Sequence, residues 1–122
     1  MESVGNYIKN NPHIEIINLH NNSSEGNKIT DKGIEILSEY LIGNMSLKTL
    51  DISGNKGIPD ESLPYLIDIA KKTSITSIDL RWTSLSKENQ EEINNLVEIP
   101  IDEREIPIKS LSKSAAKISK YE

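Results

Sequence analysis

The chain has no cysteine and no phenylalanine. The missing thiols exclude disulfides and thiolate metal sites. Aromatic residues make up 4% of the 122 and hydrophobic residues 35%, against about 45–50% for an ordinary domain counted with glycine. A sphere packed around bulky rings is therefore excluded. Positive charge is not in excess either: 14 Lys and Arg stand against 19 Asp and Glu, for a net charge of −5. Nucleic acid and anionic membrane surfaces attract a net basic protein, so neither is expected as the main partner. No apolar run approaches the roughly 18 residues of a membrane span. Residues 1–12 show no basic stretch followed by an apolar one, the mark of a secretory signal. The length suits one domain, and the expectation is a soluble, intracellular (cytoplasmic) protein.

What the chain does have is a repeat. Three segments place apolar residues at their first, fourth and sixth positions. They are Ile14-x-x-Ile17-x-Leu19, Leu47-x-x-Leu50-x-Ile52 and Ile75-x-x-Ile78-x-Leu80, which start 33 and then 28 residues apart. Asn22 and Asn55 follow three residues after the sixth position, and Thr83 fills that slot in the third. Behind each segment runs a helix-like stretch, at 34–42, 62–70 and 87–97. Apolar residues recur there at helical spacing: Ile34, Leu37 and Leu41, then Leu63, Leu66 and Ala70, then Ile93, Leu96 and Val97. One triplet alone reads only as a buried strand. Three in phase, each with a helix behind it, predict stacked units, because a short strand and its helix bury their apolar faces against neighbouring copies.

The segments IEIINLHNN (Ile14–Asn22), LKTLDISGN (Leu47–Asn55) and ITSIDLRWT (Ile75–Thr83) resemble the leucine-rich repeat family, in its longer ribonuclease-inhibitor-like form. The resemblance implies an α/β solenoid, with parallel strands on a concave face and helices on the convex face. It also implies that the slot Asn hydrogen-bonds backbone in the turn after each strand. Thr83 in that slot predicts a looser third turn. The insertion around Ser23–Asn27 makes Asn27 a rival to Asn22.

Extending the period divides the chain. Residues 1–13 read as an N-terminal half-repeat cap, with a helix at Ser3–Asn10 turning Val4 and Ile8 inward. Residues 14–46, 47–74 and 75–102 are three repeats. Glu103–Ile108 reads as a degenerate edge strand, where Pro107 is tolerated and the charges of Asp102–Glu105 blunt the edge. Residues 109–122 form a tail that reads equally as a short helix or a disordered end. Gly43 suits a left-handed helix end, Asp60 and Ser86 suit helix N-caps, and Pro64 is tolerated in a first turn.

Strand side chains alternate, so the third, fifth and seventh positions of each segment point outward. They are Ile16, Thr49 and Ser77, then Asn18, Asp51 and Asp79, then His20, Ser53 and Arg81. The eighth position gives Asn21, Gly54 and Trp82. Asp51 and Asp79 fall in equivalent slots on strands about 4.8 Å apart, where like charges are destabilising. The pair is a site for a partner's Lys or Arg, or it is solvated and screened, or it is satisfied by Arg81. Trp82 is either a binding anchor beside Arg81, since both types are enriched at interface hot spots, or a cover over the end of the core. The candidate partner-binding face is Asn18, His20, Asp51, Asp79, Arg81 and Trp82.

No catalytic residue is expected. His20 and Ser53 share the open face, but such a face lacks a pocket that excludes water, and no third group is placed to orient the ring. His20, Asp51 and Asp79 match no standard metal-ligand spacing. Gly54-Asn55-Lys56-Gly57 lacks the phosphate-loop pattern, so no metal and no cofactor is expected. Asn22-Ser23-Ser24 and Asn44-Met45-Ser46 match the glycosylation pattern, here read as an accident of composition. The leading function is a non-catalytic module binding a protein or peptide with a basic patch on the concave face. Two others stay open. One is a structural unit that self-assembles, as a homodimer through Ile14–Leu19 or Glu103–Ile108. The other is an effector that an intracellular bacterium exports into a host cell.

Overall fold

Each apolar triplet supplies a strand of three residues. In the computed structural model, which describes residues 2–21 and 29–107, these are β1 (Ile16–Asn18), β2 (Thr49–Asp51) and β3 (Ser77–Asp79). They pair in parallel in the order β1-β2-β3. Ile17, Leu50 and Ile78 share one row of the register, and Asn18, Asp51 and Asp79 share the next.

Among the described residues four helices accompany the sheet: α1 (Glu2–Asn10), α2 (Asp31–Leu41), α3 (Leu63–Lys71) and α4 (Lys87–Leu96). Each packs on the next in chain order. The strand residues Ile17, Leu50 and Ile78 join one core with Ile34, Leu37 and Leu41 of α2, Leu66, Ile69 and Ala70 of α3, Ile93 of α4 and Ile8 of α1. Ile14 and Val4 are half-buried against it. Leu50 is central and fully buried; truncating it to Ala should remove about 2–5 kcal/mol of stability. The helices therefore cover one face of the sheet. The other face is open, with Ile16 65% exposed and Asn18 and Ser77 also exposed.

The turns carry local signatures. Gly43 ends α2 at φ 92° and Gly54 follows β2 at φ 77°. Both lie in the left-handed region that glycine enters freely. A side chain at Gly54 would also collide with the carbonyl oxygen of Asn21 in the preceding turn. Asn55 is buried behind it, and its Nδ2 donates to the carbonyls of Leu19, Ile52 and Ser53 at 3.0, 2.9 and 3.3 Å. It thus ties two successive turns together. Thr83 in the equivalent place donates only to Leu80 O, at 2.8 Å, within its own turn.

Two expectations fail for identifiable reasons. Asp60 does not cap α3: it opens a 3-10 turn, Asp60–Ser62, and α3 starts one turn later. Its Oδ1 accepts from the Ser86 backbone N–H at 2.7 Å and from Asn89 Nδ2 at 2.8 Å. The carboxylate is drawn to the start of α4, where backbone N–H groups lack helical partners. Ser86 does cap α4, its Oγ accepting from Asn89 N–H at 3.2 Å.

The second is the edge strand at Glu103–Ile108. Ile101–Glu103 form a 3-10 turn and residues 105–107 no regular element. Among the described residues the sheet ends at β3. Arg104 stands where that strand would begin, and its guanidinium takes the carbonyls instead. Nη1 donates to Thr73 O and Ile75 O at 2.7 Å each, Nη2 to Val97 O at 2.8 Å and Nε to Ile99 O at 2.9 Å. Ile108, Asn22, the Ser23–Asn27 insertion with Asn27, and the tail 109–122 lie outside the described residues.

Candidate functional site

The open face is organised by one motif used three times. In each strand the fifth-position side chain turns back onto the chain two residues on. Asn18 Oδ1 accepts the His20 N–H at 3.0 Å, Asp51 Oδ1 the Ser53 N–H at 2.9 Å, and Asp79 Oδ1 the Arg81 N–H at 3.1 Å. These are Asx turns, which Asn and Asp form because their side-chain oxygen can mimic a backbone acceptor. The column of Asn18, Asp51 and Asp79 therefore ends the strands. That is a structural reason for the two aspartates that the sequence reading did not weigh.

The two carboxylates are then separated by their partners. Asp79 is held by Arg81: Nε donates to Oδ1 at 3.0 Å and to Oδ2 at 3.3 Å, and Nη2 to Oδ2 at 2.8 Å. The hydrogen bond from the Arg81 side chain holds Asp79 below the usual carboxylate range, against the opposing effect of burial. The same bond raises Arg81 above its ordinary value. Among the described residues Asp51 forms no ion pair of its own, although Arg81 also acts on it electrostatically. Its Oδ1 takes the Ser53 hydroxyl at 2.6 Å as well as the Ser53 N–H.

Ser53 is 1% exposed, not outward-facing as its position suggested. The Asx turn bends the chain after Asp51, so strand alternation ends there. His20, by contrast, is exposed and lies over Ser53, with Nδ1 2.6 Å from its Oγ. A serine, a histidine and an aspartate are thus linked, but in the wrong polarity for catalysis. A nucleophilic serine gives its proton to histidine, and the carboxylate orients the ring. Here the single hydroxyl proton points at the Asp51 carboxylate, which can only accept. Nδ1–H of His20 must then donate to the serine oxygen. Among the described residues no group of three or more His, Asp or Glu could hold a metal ion.

Trp82 lies beyond these turns. It is 61% exposed, so it does not cover the core. Its backbone has φ 61°, in the slot that Gly54 occupies one repeat earlier. The Arg81 guanidinium carbon sits 5.1 Å from the centre of its ring, within cation–π range. Of the six candidate residues, Asn18, Asp51 and Asp79 share one register row, and His20, Arg81 and Trp82 lie in the turns that follow.

Other motifs resolve simply. Asn44, the acceptor of one glycosylation pattern, uses its Oδ1 to hold the Ser46 and Leu47 N–H groups at 2.8 Å each. Sequence reasoning missed the Asx turns, although the patterns Asn-x-His, Asp-x-Ser and Asp-x-Arg after each strand carry that signal. It also missed Arg104. Among the described residues no helix is long and apolar enough to cross a membrane.

No curated protein and no solved structure matches this chain. Residues 43–63, which span β2, the Asn55 turn and the first residue of α3, are similar to the family described as Leucine Rich repeat, whose model they match.

Proposed function

We propose that the chain is a non-catalytic protein-binding module, built as a short solenoid of about three ribonuclease-inhibitor-like leucine-rich repeats with degenerate caps. Leucine-rich repeats generally mediate contacts between proteins. The binding face is the open side of the sheet, with Trp82 and Arg81 as anchors. The partner is a protein or peptide that brings a basic group to the aspartates.

One observation carries this reading. Trp82 is a large apolar side chain, mostly exposed, on a backbone conformation that non-glycine residues adopt at a cost. Nothing in the core requires it, and Gly54 fills the equivalent slot without strain. A strained, exposed Trp beside an Arg fits a hot spot, where such side chains become buried on binding. The test is a pull-down with wild type, Trp82→Gly and, as a control on α1, Tyr7→Ala. Partners captured by wild type and Tyr7→Ala should be lost with Trp82→Gly. Equal capture by all three overturns the reading.

A further inference from the structure

We propose that the partner adds an extended segment to the outer edge of β1, as a strand beside Ile16–Asn18 on the side away from β2. The inference rests on the reading of the chain as a protein-binding module, and it names how the sheet holds the partner's backbone.

The edge follows from the register. Successive residues of a parallel strand send their N–H and C=O groups to opposite sides. Leu19 N–H donates to Asp51 O at 2.7 Å, Asn21 N–H donates to Ser53 O at 3.0 Å, and Glu15 O accepts the Thr49 N–H at 3.0 Å. The odd residues thus face β2, and Ile16 and Asn18 turn their backbone groups outward. Among the described residues no strand stands beyond β1. The ends of the edge are closed, with Ile14 N–H held by Asn11 O at 3.1 Å and His20 N–H by Asn18 Oδ1 at 3.0 Å. What is left is a short row of donors and acceptors at strand spacing, which another extended backbone matches.

The opposite edge is guarded. Beyond β3, Arg104 takes the carbonyls of Thr73 and Ile75. Its sequence neighbours are Asp102, Glu103 and Glu105, and Pro107 lacks an N–H. β1 has none of these devices. Its residues are Ile, Ile and Asn, and the neighbouring charge, Glu15, is drawn to Lys48 ahead of β2 at 3.2 Å. Ile16 is mostly exposed beside the edge. An unguarded edge with an exposed β-branched residue is where another chain pairs.

The side-chain rows set the chemistry of the segment. A strand laid on β1 continues them. One of its residues joins the buried row of Ile17, Leu50 and Ile78, and the next joins Asn18, Asp51 and Asp79. The first is therefore aliphatic. The second is Lys or Arg, because among the described residues two carboxylates in that row meet one guanidinium, Arg81 on Asp79. A second copy of β1 brings no cation there. Three residues make few bonds, so the edge acts together with the Trp82 and Arg81 anchors.

The probes are random dodecapeptides selected by phage display against the full chain, then titrated and followed by ¹⁵N NMR. Selected peptides should move the amides of Ile16 and Asn18 and slow their exchange with solvent. Methylating the peptide's backbone nitrogens one at a time should weaken binding about tenfold at every second residue and spare those between. Ile16→Pro removes an N–H that no ladder bond uses, a change that an edge tolerates, and should weaken the peptides about tenfold. Ile16→Thr keeps the N–H and should stay within about threefold of wild type. Three results overturn the proposal: no selected peptide that moves these two amides, equal binding by wild type and folded Ile16→Pro, or methylation effects without the two-residue period. The methylated peptides decide the matter if Ile16→Pro does not fold. Shifts at Ile16 and Asn18 that grow with protein concentration alone, with a dimer in sedimentation, also overturn it and give the edge to a second copy. The pull-down with Trp82→Gly is independent. Loss of partners there with any overturning result leaves the binding face standing without strand addition. Retained partners with a positive peptide test leave strand addition without the Trp82 anchor.

Discussion

Asp79 grips Arg81 two residues along its own chain, through Nη2–Oδ2 at 2.8 Å and Nε–Oδ1 at 3.0 Å, while also accepting the Arg81 backbone N–H. The grip fixes a side chain that would otherwise be free in solvent, and it leaves the guanidinium 5.1 Å from the centre of the Trp82 ring. Order at an exposed anchor matters for recognition, because side chains already held in place lose less entropy on binding.

The slot after the Asx turn should respond oppositely in successive repeats. Trp82→Gly relieves a left-handed backbone, worth about 1 kcal/mol, and loses an exposed cation–π contact worth about 0.5–1 kcal/mol. Stability should therefore be unchanged or slightly raised. Gly54→Ala introduces the same strain and a collision with the Asn21 carbonyl, and should remove about 2 kcal/mol or more. Urea unfolding of both variants checks the contrast. A Trp82→Gly variant that loses 2 kcal/mol would show the ring to be structural.

The core was legible because its signal is periodic. Leu47, Leu50, Ile52 and their equivalents occupy fixed slots, and branched aliphatics in those slots bury against one another whatever the loops do. The outward pattern was legible only as far as the strands last. Beyond Asp51 the side-chain oxygen recaptures the chain, so Ser53 turns inward where alternation placed it outside. Trp82 fits both an anchor and a core cover in the sequence, because sequence does not reveal exposure or a positive φ. Arg104 was unreadable for another reason. Two of its bonds reach carbonyls 29 and 31 residues back, and no local pattern announces them.

Acid should loosen the turns through two carboxylates. Asp60 is lowered chiefly by the Ser86 backbone N–H and Asp79 chiefly by the Arg81 side chain. A carboxylate lowered in the folded state contributes stability above its unfolded value, and loses it as pH falls through the folded value. The contribution should be intact above about pH 4 and fade below it. Asp79→Asn keeps the turn acceptor but removes the charge. Its urea midpoint should fall less than that of wild type between pH 5 and pH 2. Equal falls would show that the Asp79–Arg81 pair adds nothing to acid stability.

Asn55 and Thr83 fill the same slot but should not be worth the same. Asn55→Ala strips the amide partner from carbonyls of two turns at a site 1% exposed, at a cost of about 3 kcal/mol. Thr83→Ala removes a hydroxyl that donates to Leu80 O and accepts a long bond from the Leu85 N–H, both local, at a cost of about 1 kcal/mol. Thermal unfolding of the two variants measures the difference. Hydrogen exchange should show the Asn55→Ala opening spread to the turn after β1, since its amide reaches Leu19.

The far edge of the sheet gives the last test. Arg104 satisfies Thr73 O, Ile75 O, Val97 O and Ile99 O with one planar group. Desolvation by burial lowers it from the ordinary arginine value, yet four acceptors keep the charge in place. A lysine has three donors on a point charge and cannot reproduce the fork. Arg104→Lys should therefore lose about 1–2 kcal/mol, and Arg104→Ala about 2–3 kcal/mol, as carbonyls lose their partners. Losing the plug also uncovers groups beside β3, and exposed strand edges pair with other chains. Sedimentation velocity should then show Arg104→Ala associating with rising concentration while wild type does not. If wild type associates as strongly as Arg104→Ala, the guanidinium does not guard that edge, and assembly through it becomes the better account of the molecule.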